Sequence, residues 1–218
     1  MKKILTFIIA LAALPVAAQA QTWNPSAAEL QAMQAKADPE RGEALFTACV
    51  GCHKKDATGR SSGAYPRLAG QHFTVLLKQM KDIKAGLRTN PKMAPYIEDH
   101  ISDVGEMADV AVWLTALPIP EDRIGRGPGT SVDAGKVLFE RDCAQCHGQK
   151  GEGDAARFYP MVAAQHYRYL LREMHFIRDG DRGNSNPDMV KVIKPYREAD
   201  LEALADYMSS LPPPAPAK

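Results

Sequence analysis

The pentapeptide C-x-x-C-H occurs twice, 94 residues apart, as Cys49-Val50-Gly51-Cys52-His53 and Cys143-Ala144-Gln145-Cys146-His147. Two thiols at this spacing followed by an imidazole form the attachment signal for a c-type haem. The thiols add to the two vinyl groups of one porphyrin, and the adjacent histidine supplies a proximal nitrogen to the iron. All four cysteines are used in this way. The sequence therefore implies two covalently bound haem c groups, one on Cys49 and Cys52 and one on Cys143 and Cys146, with His53 and His147 as iron ligands. Three other uses compete. Four cysteines of an exported chain can pair as two disulfides in any of three connectivities. A thioredoxin-like site wants a βαβ pattern, which the chain lacks. A zinc site built on both pairs would leave the histidines surplus, or give six ligands where a tetrahedron takes four.

The N-terminus carries an export signal. Met1-Lys2-Lys3 is a short positive region, Ile4 to Val16 is apolar, and Ala18-Gln19-Ala20 is a small-residue cleavage site. Residues 1–20 are expected to be removed, leaving Gln21 first. The apolar stretch is short for a membrane span, and no later segment is apolar enough to cross a bilayer. Lys and Arg total 27 against 26 Asp and Glu. The charges are mixed along the chain, so no polycationic face marks nucleic acid as a partner.

The chain is an internal duplication. At a shift of 94, Tyr65-Pro66 falls on Tyr159-Pro160, Ala69-Gly70-Gln71-His72 on Ala163-Ala164-Gln165-His166, and Leu76-Leu77-Lys78-Gln79-Met80 on Leu170-Leu171-Arg172-Glu173-Met174. Asn90-Pro91-Lys92-Met93 matches Asn186-Pro187-Asp188-Met189 at a shift of 96. The expected organisation is an N-terminal domain over 21–118, a Pro- and Gly-rich linker over 119–130, a C-terminal domain over 131–212 and a disordered Pro-rich tail over 213–218. Each domain reads as all-α with three main helices and no convincing strand. They span about 39–50, 73–85 and 104–117 in the first domain. In the second they run from 131 towards Cys143, then over about 167–179 and 198–211. Asp38 and Ser131 are expected N-caps. Gly42 with Phe46 and Trp113, and Gly135 with Phe139 and Tyr207, predict a close crossing of first and last helices in each domain.

The second axial ligand decides between electron transfer and small-molecule chemistry. Two methionine pairs recur. Met93 and Met189 follow Asn-Pro in an expected loop and are the preferred distal ligands, because a loop can bring a thioether across the ring. Met80 and Met174 lie within helices. His72 and His166 also recur, at helix starts where a surface histidine is common, and would give bis-histidine ligation. Pro66 and Pro160 each lie 13 residues after a proximal histidine. Their carbonyls are expected to take the second ring N–H of His53 and His147, since such a bond fixes the ring and raises its basicity.

Together, the two C-x-x-C-H sites, Tyr65-Pro66-Arg67-Leu68-Ala69-Gly70-Gln71, and Asn90-Pro91-Lys92-Met93 ahead of a C-terminal helix resemble the cytochrome c4 family of dihaem class I cytochromes c. The resemblance covers essentially the whole chain after residue 20. It implies two tandem class I cytochrome c domains with His/Met-ligated haems, related by a pseudo-twofold. It also implies a periplasmic electron carrier feeding a terminal oxidase, or the electron-transfer subunit of a dehydrogenase, such as one paired with a flavoprotein. The expected partners are thus redox proteins. A dihaem enzyme such as a peroxidase is the remaining alternative, and the recurring methionines argue against it. The second module departs from the first where Arg67-Leu68-Ala69-Gly70 becomes Met161-Val162-Ala163-Ala164. The lost arginine is expected at a haem propionate or at the domain interface, so that the two haems differ in potential.

Overall fold

The computed structural model describes residues 25–214, so the expected leader and the end of the tail lie outside it. Two sets of helices follow one another. The first holds α1 (Ala27–Lys36), α2 (Pro39–Phe46), α3 (Val50–His53), α4 (Phe73–Lys84), α5 (Ala94–His100) and α6 (Val104–Ala116). The second holds α7 (Val132–Asp142), α8 (Ala144–His147), α9 (Tyr167–Asp179), α10 (Pro187–Ile193) and α11 (Glu198–Ser210). Among the described residues the only β pairing is an isolated bridge between Asp154 and Tyr159.

In each repeat the helix that leads into the C-x-x-C-H crosses the last, α2 on α6 and α7 on α11. Glycine permits both crossings. A Cβ on Gly42 would overlap the Asp109 carbonyl, and one on Gly135 the Ala203 carbonyl. One turn on, Phe46 meets Trp113 with ring centroids 4.9 Å apart, and Phe139 meets Tyr207 at 5.4 Å. Phe46 and Phe139 are fully buried, and burial of each such side chain contributes roughly 1.5–3 kcal/mol. A buried aspartate from the last helix then ties down the start of the helix it crosses. Asp109 accepts from Asp38 N at 2.7 Å, and Asp206 accepts from Gly129 N and Ser131 N, each at 3.0 Å.

Three local expectations are corrected. Asp38 caps α2 through Glu40 N and Arg41 N, but the Ser131 side chain makes no capping bond. Asp206 already engages that backbone, so the hydroxyl is not needed there. The stretch read as one helix over 39–50 breaks after Phe46 into a 3-10 turn, Thr47–Cys49, before α3. The methionine segments are not plain loops: Met93 is the N-cap of α5, and Met189 lies in the first turn of α10.

The two repeats pack against each other with pseudo-twofold symmetry. The Gln71 side chain brackets Met161, donating to its carbonyl at 2.9 Å and accepting from its N–H at 3.0 Å. The Gln165 side chain brackets Arg67 in the same way, both bonds at 2.9 Å. These pairs are related by the 94-residue shift. A second cluster joins α4 to α9. Glu173 accepts from Arg88 at 2.9 Å and Arg182 at 3.0 Å, and both arginines also donate to Gln79. Gln79 and Glu173 are repeat equivalents, as are Arg88 and Arg182. The connecting segment is tied in as well: Gly125 N donates to His166 Nδ1 at 2.9 Å and Gly127 N to Ser209 Oγ at 3.0 Å.

Candidate functional site

Each C-x-x-C-H lies where a long helix gives way to a single turn. Cys49 precedes α3, which ends on His53, and Cys143 precedes α8, which ends on His147. The turns stop on positive φ, 64° at Lys54 and 78° at Gly148. A loop then folds back in the same way in both repeats. Gly59 N donates to His53 O, and Gly153 N to His147 O. The Ala57 carbonyl takes Leu68 N and Ala69 N, and the Gly151 carbonyl takes Val162 N and Ala163 N. These bonds deliver a proline carbonyl to each histidine. His53 Nδ1 lies 3.2 Å from Pro66 O and His147 Nδ1 3.0 Å from Pro160 O. A carbonyl can only accept, so Nδ1 is the protonated nitrogen in both rings.

Both imidazoles are buried, at 7% and 8% exposure. Burial pulls their pKa down, and the proline carbonyls partly offset it. Each ring is therefore neutral at pH 7, with the lone pair on Nε2 because Nδ1 carries the proton. That is the state a metal-bound imidazole requires. The rings of Tyr65 and Tyr159 stand 6.0 and 6.4 Å from His53 and His147. None of the four cysteines is paired in a disulfide. Before haem is attached, burial first, then the neighbouring thiol, pushes Cys49 up to about 11; burial, then Asp142, pushes Cys143 up to about 12. Among the described residues no group of three or more His, Cys, Asp or Glu converges on one metal position, so the two C-x-x-C pairs do not form a joint zinc site.

The methionines divide by position. Met80 and Met174 are buried in the two cores on α4 and α9. Met93 and Met189 are half-buried at the edges of the same cores, where Cys49 and Cys143 also pack. Met93 is held by Asn90, whose carbonyl and side-chain oxygen both accept from Met93 N. Asn186 caps the turn that carries Met189. Two cysteine sulfurs, a neutral imidazole with its lone pair on Nε2 and a half-buried thioether form, in each repeat, a donor set that fits a c-type haem.

The recurring histidines are neither surface residues nor free ligands. His72 Nε2 lies 2.7 Å from Glu152 O and His166 Nε2 2.8 Å from Thr58 O, again a pair related by the 94-residue shift. His166 is fully buried. Its Nδ1 accepts from Gly125, so Nε2 carries the proton and the ring is neutral. Desolvation lowers its pKa. The repeated Gln-His pair is thus an interface device, visible in the sequence as a recurrence but without a role there. Tyr65 and Tyr159 likewise recur without an assigned role and prove to stand beside the proximal rings.

The cytochrome c family profile matches residues 39–117 and again 132–212. The thiosulfate dehydrogenase electron acceptor of Stutzerimonas stutzeri (strain A1501) is 34% identical over 203 residues, covering 85% of this chain and 92% of that protein. Cytochrome c4 of Azotobacter vinelandii is 28% identical over 196 residues, covering 81% of this chain and 90% of its own. Among solved structures, reduced recombinant cytochrome c4 from Pseudomonas stutzeri superposes with a TM-score of 0.72 at 26% identity, over 80% of this chain and 99% of that one. Thiosulfate dehydrogenase from Marichromatium purpuratum superposes at 0.70 with 31% identity, covering 79% of this chain but only 40% of the longer partner. With one such domain for each C-x-x-C-H, the chain belongs to the cytochrome c family in its tandem, dihaem cytochrome c4 form, and carries two covalently bound haem c groups on Cys49/Cys52 and Cys143/Cys146.

Proposed function

We propose that the protein is a periplasmic dihaem carrier that accepts electrons from a thiosulfate-oxidising dehydrogenase and passes them to a terminal oxidase. Haem c supplies a one-electron iron centre, and the chain's own residues set how it works. His53 and Met93 hold one iron, and His147 and Met189 the other. Pro66 and Pro160 fix the proximal rings, and the two cores exclude water. An iron saturated on both faces changes oxidation state with little change in coordination, which suits transfer rather than catalysis. Removal of residues 1–20 on export releases the carrier, which has its domains at 21–118 and 131–212.

The observation that carries the choice of donor is the likeness to a thiosulfate dehydrogenase electron acceptor, at 34% identity over most of both chains, set beside 28% for cytochrome c4 of A. vinelandii. The likeness at 31% to part of a solved thiosulfate dehydrogenase supports the same reading. The test mixes the oxidised holoprotein with a catalytic amount of thiosulfate dehydrogenase and follows haem reduction after thiosulfate is added. Reduction of both haems within many enzyme turnovers is expected. If ascorbate reduces the protein but enzyme plus thiosulfate does not, the donor is another dehydrogenase.

A further inference from the structure

Arg67 is the largest fully buried side chain described. Its guanidinium bonds carbonyls that the 94-residue shift relates: Nη1 donates to Ala69 O and Nη2 to Ala163 O, the latter at 3.1 Å. It therefore bridges the two repeats at their interface. Nε donates to Ala164 O at 2.8 Å, and Nη2 also meets Met161 Sδ at 3.6 Å. These acceptors are neutral, and among the described residues no carboxylate pairs with Arg67. Burial alone lowers its pKa, to about 10, so the cation persists at neutral pH. The nearby His166 ring is neutral and adds no second charge.

The cation is also close to both redox sites. Arg67 directly follows Pro66, whose carbonyl faces His53, and its guanidinium touches Met161, which directly follows Pro160, whose carbonyl faces His147. The second repeat has Met161 where the first has Arg67, so one charge stands where symmetry would have placed two or none. A ferric haem carries one more positive charge than a ferrous haem. A buried cation at the interface between both therefore favours the ferrous state of each.

We propose that Arg67 is a shared electrostatic bias on the haem pair, a single buried cation that raises both reduction potentials together. This rests on the electron-carrier reading only through the presence of two haems, since potentials are measurable whatever the donor. At the effective dielectric of about 20 that describes buried sites, one charge about 12 Å from a redox centre changes its equilibrium about tenfold.

The experiment is a spectroelectrochemical titration of the holoprotein and its variants, with haem content checked by visible spectrum. In R67M, which installs the residue of the second repeat, both haems are expected to shift about tenfold toward ferric, about 59 mV for one electron. R67K keeps the charge and is expected to stay near wild type. The double variant R67M/M161R returns the charge to the interface from the other module and is expected to recover both potentials. Should R67M fail to hold both haems, R67Q carries the same expectation while keeping donors toward the alanine carbonyls. Unchanged potentials in the neutral variant would overturn the proposal, as would R67K or the double variant falling as far as R67M. Such a result would leave the carrier reading intact, whereas wild-type protein that cannot be reduced by any dehydrogenase would sink the carrier reading alone.

Discussion

Replacing Met189 with alanine is expected to lower the potential of the C-terminal haem by a large part of the roughly 0.8 V range that axial ligands control. A thioether favours ferrous iron, and its loss leaves water or nothing on the distal face. Carbon monoxide should then bind the ferrous variant at one haem per chain, where wild type binds none before unfolding. Met93→Ala should do the same at the N-terminal haem. The fold should survive both changes, because neither side chain is part of the buried core proper; each packs only against its edge. Met174→Ala is the control: it removes a buried side chain, at 5% exposure, and should cost about 2–5 kcal/mol of stability. It should leave the ligand field of the haem unchanged. If Met174→Ala opened the iron and Met189→Ala did not, the helix pair would be the ligands.

The second large effect is expected at the domain interface. Glu173 is the carboxylate shared by Arg88 and Arg182, and all three side chains are largely buried. Glu173→Gln leaves two guanidinium groups facing each other without an anion between them. Burial already pulls Arg182 below its ordinary pKa, with Arg88 as the next cause. Removing one partner of a buried ionic cluster costs about 3–5 kcal/mol. The loss should fall on the contact between repeats, because Arg88 belongs to the first and Arg182 to the second. Calorimetry of the holoprotein should therefore show one transition splitting into two, with each haem keeping its wild-type spectrum. A single transition at an unchanged temperature would show that the cluster contributes nothing to docking.

The long helices were legible because apolar residues recur along them at three- and four-residue spacing, and because Gly86, Gly180, Pro118 and Pro212 mark their ends. The crossings of α2 with α6 and α7 with α11 were legible too, through glycines that repeat with their aromatic partners. What escaped was short or two-sided. Helices α5 and α10 have seven residues each, too few for a period to show, and the prolines at their starts read as loop. Helix α1 buries only Leu30, so its pattern is faint. His72 and His166 are polar and read as surface, and Gln71 and Gln165 recur beside them without a role. Sequence polarity cannot separate a side chain facing water from one facing the carbonyls of a partner domain. Arg67, expected at a haem propionate or at the domain interface, lies at the interface, but its complete burial was not legible. A buried cation contradicts the usual placement of arginine, and only the two sets of carbonyls brought together by the fold explain it.

The central claim is that each iron is held between a C-x-x-C-H histidine and a methionine thioether, His53 with Met93 and His147 with Met189. The ferric absorption spectrum of the purified holoprotein tests this most directly, through the far-red methionine-to-iron charge-transfer band measured against total haem. The band is expected at the intensity of two methionine-ligated haems per chain. A band at half that intensity, or none, would contradict the account.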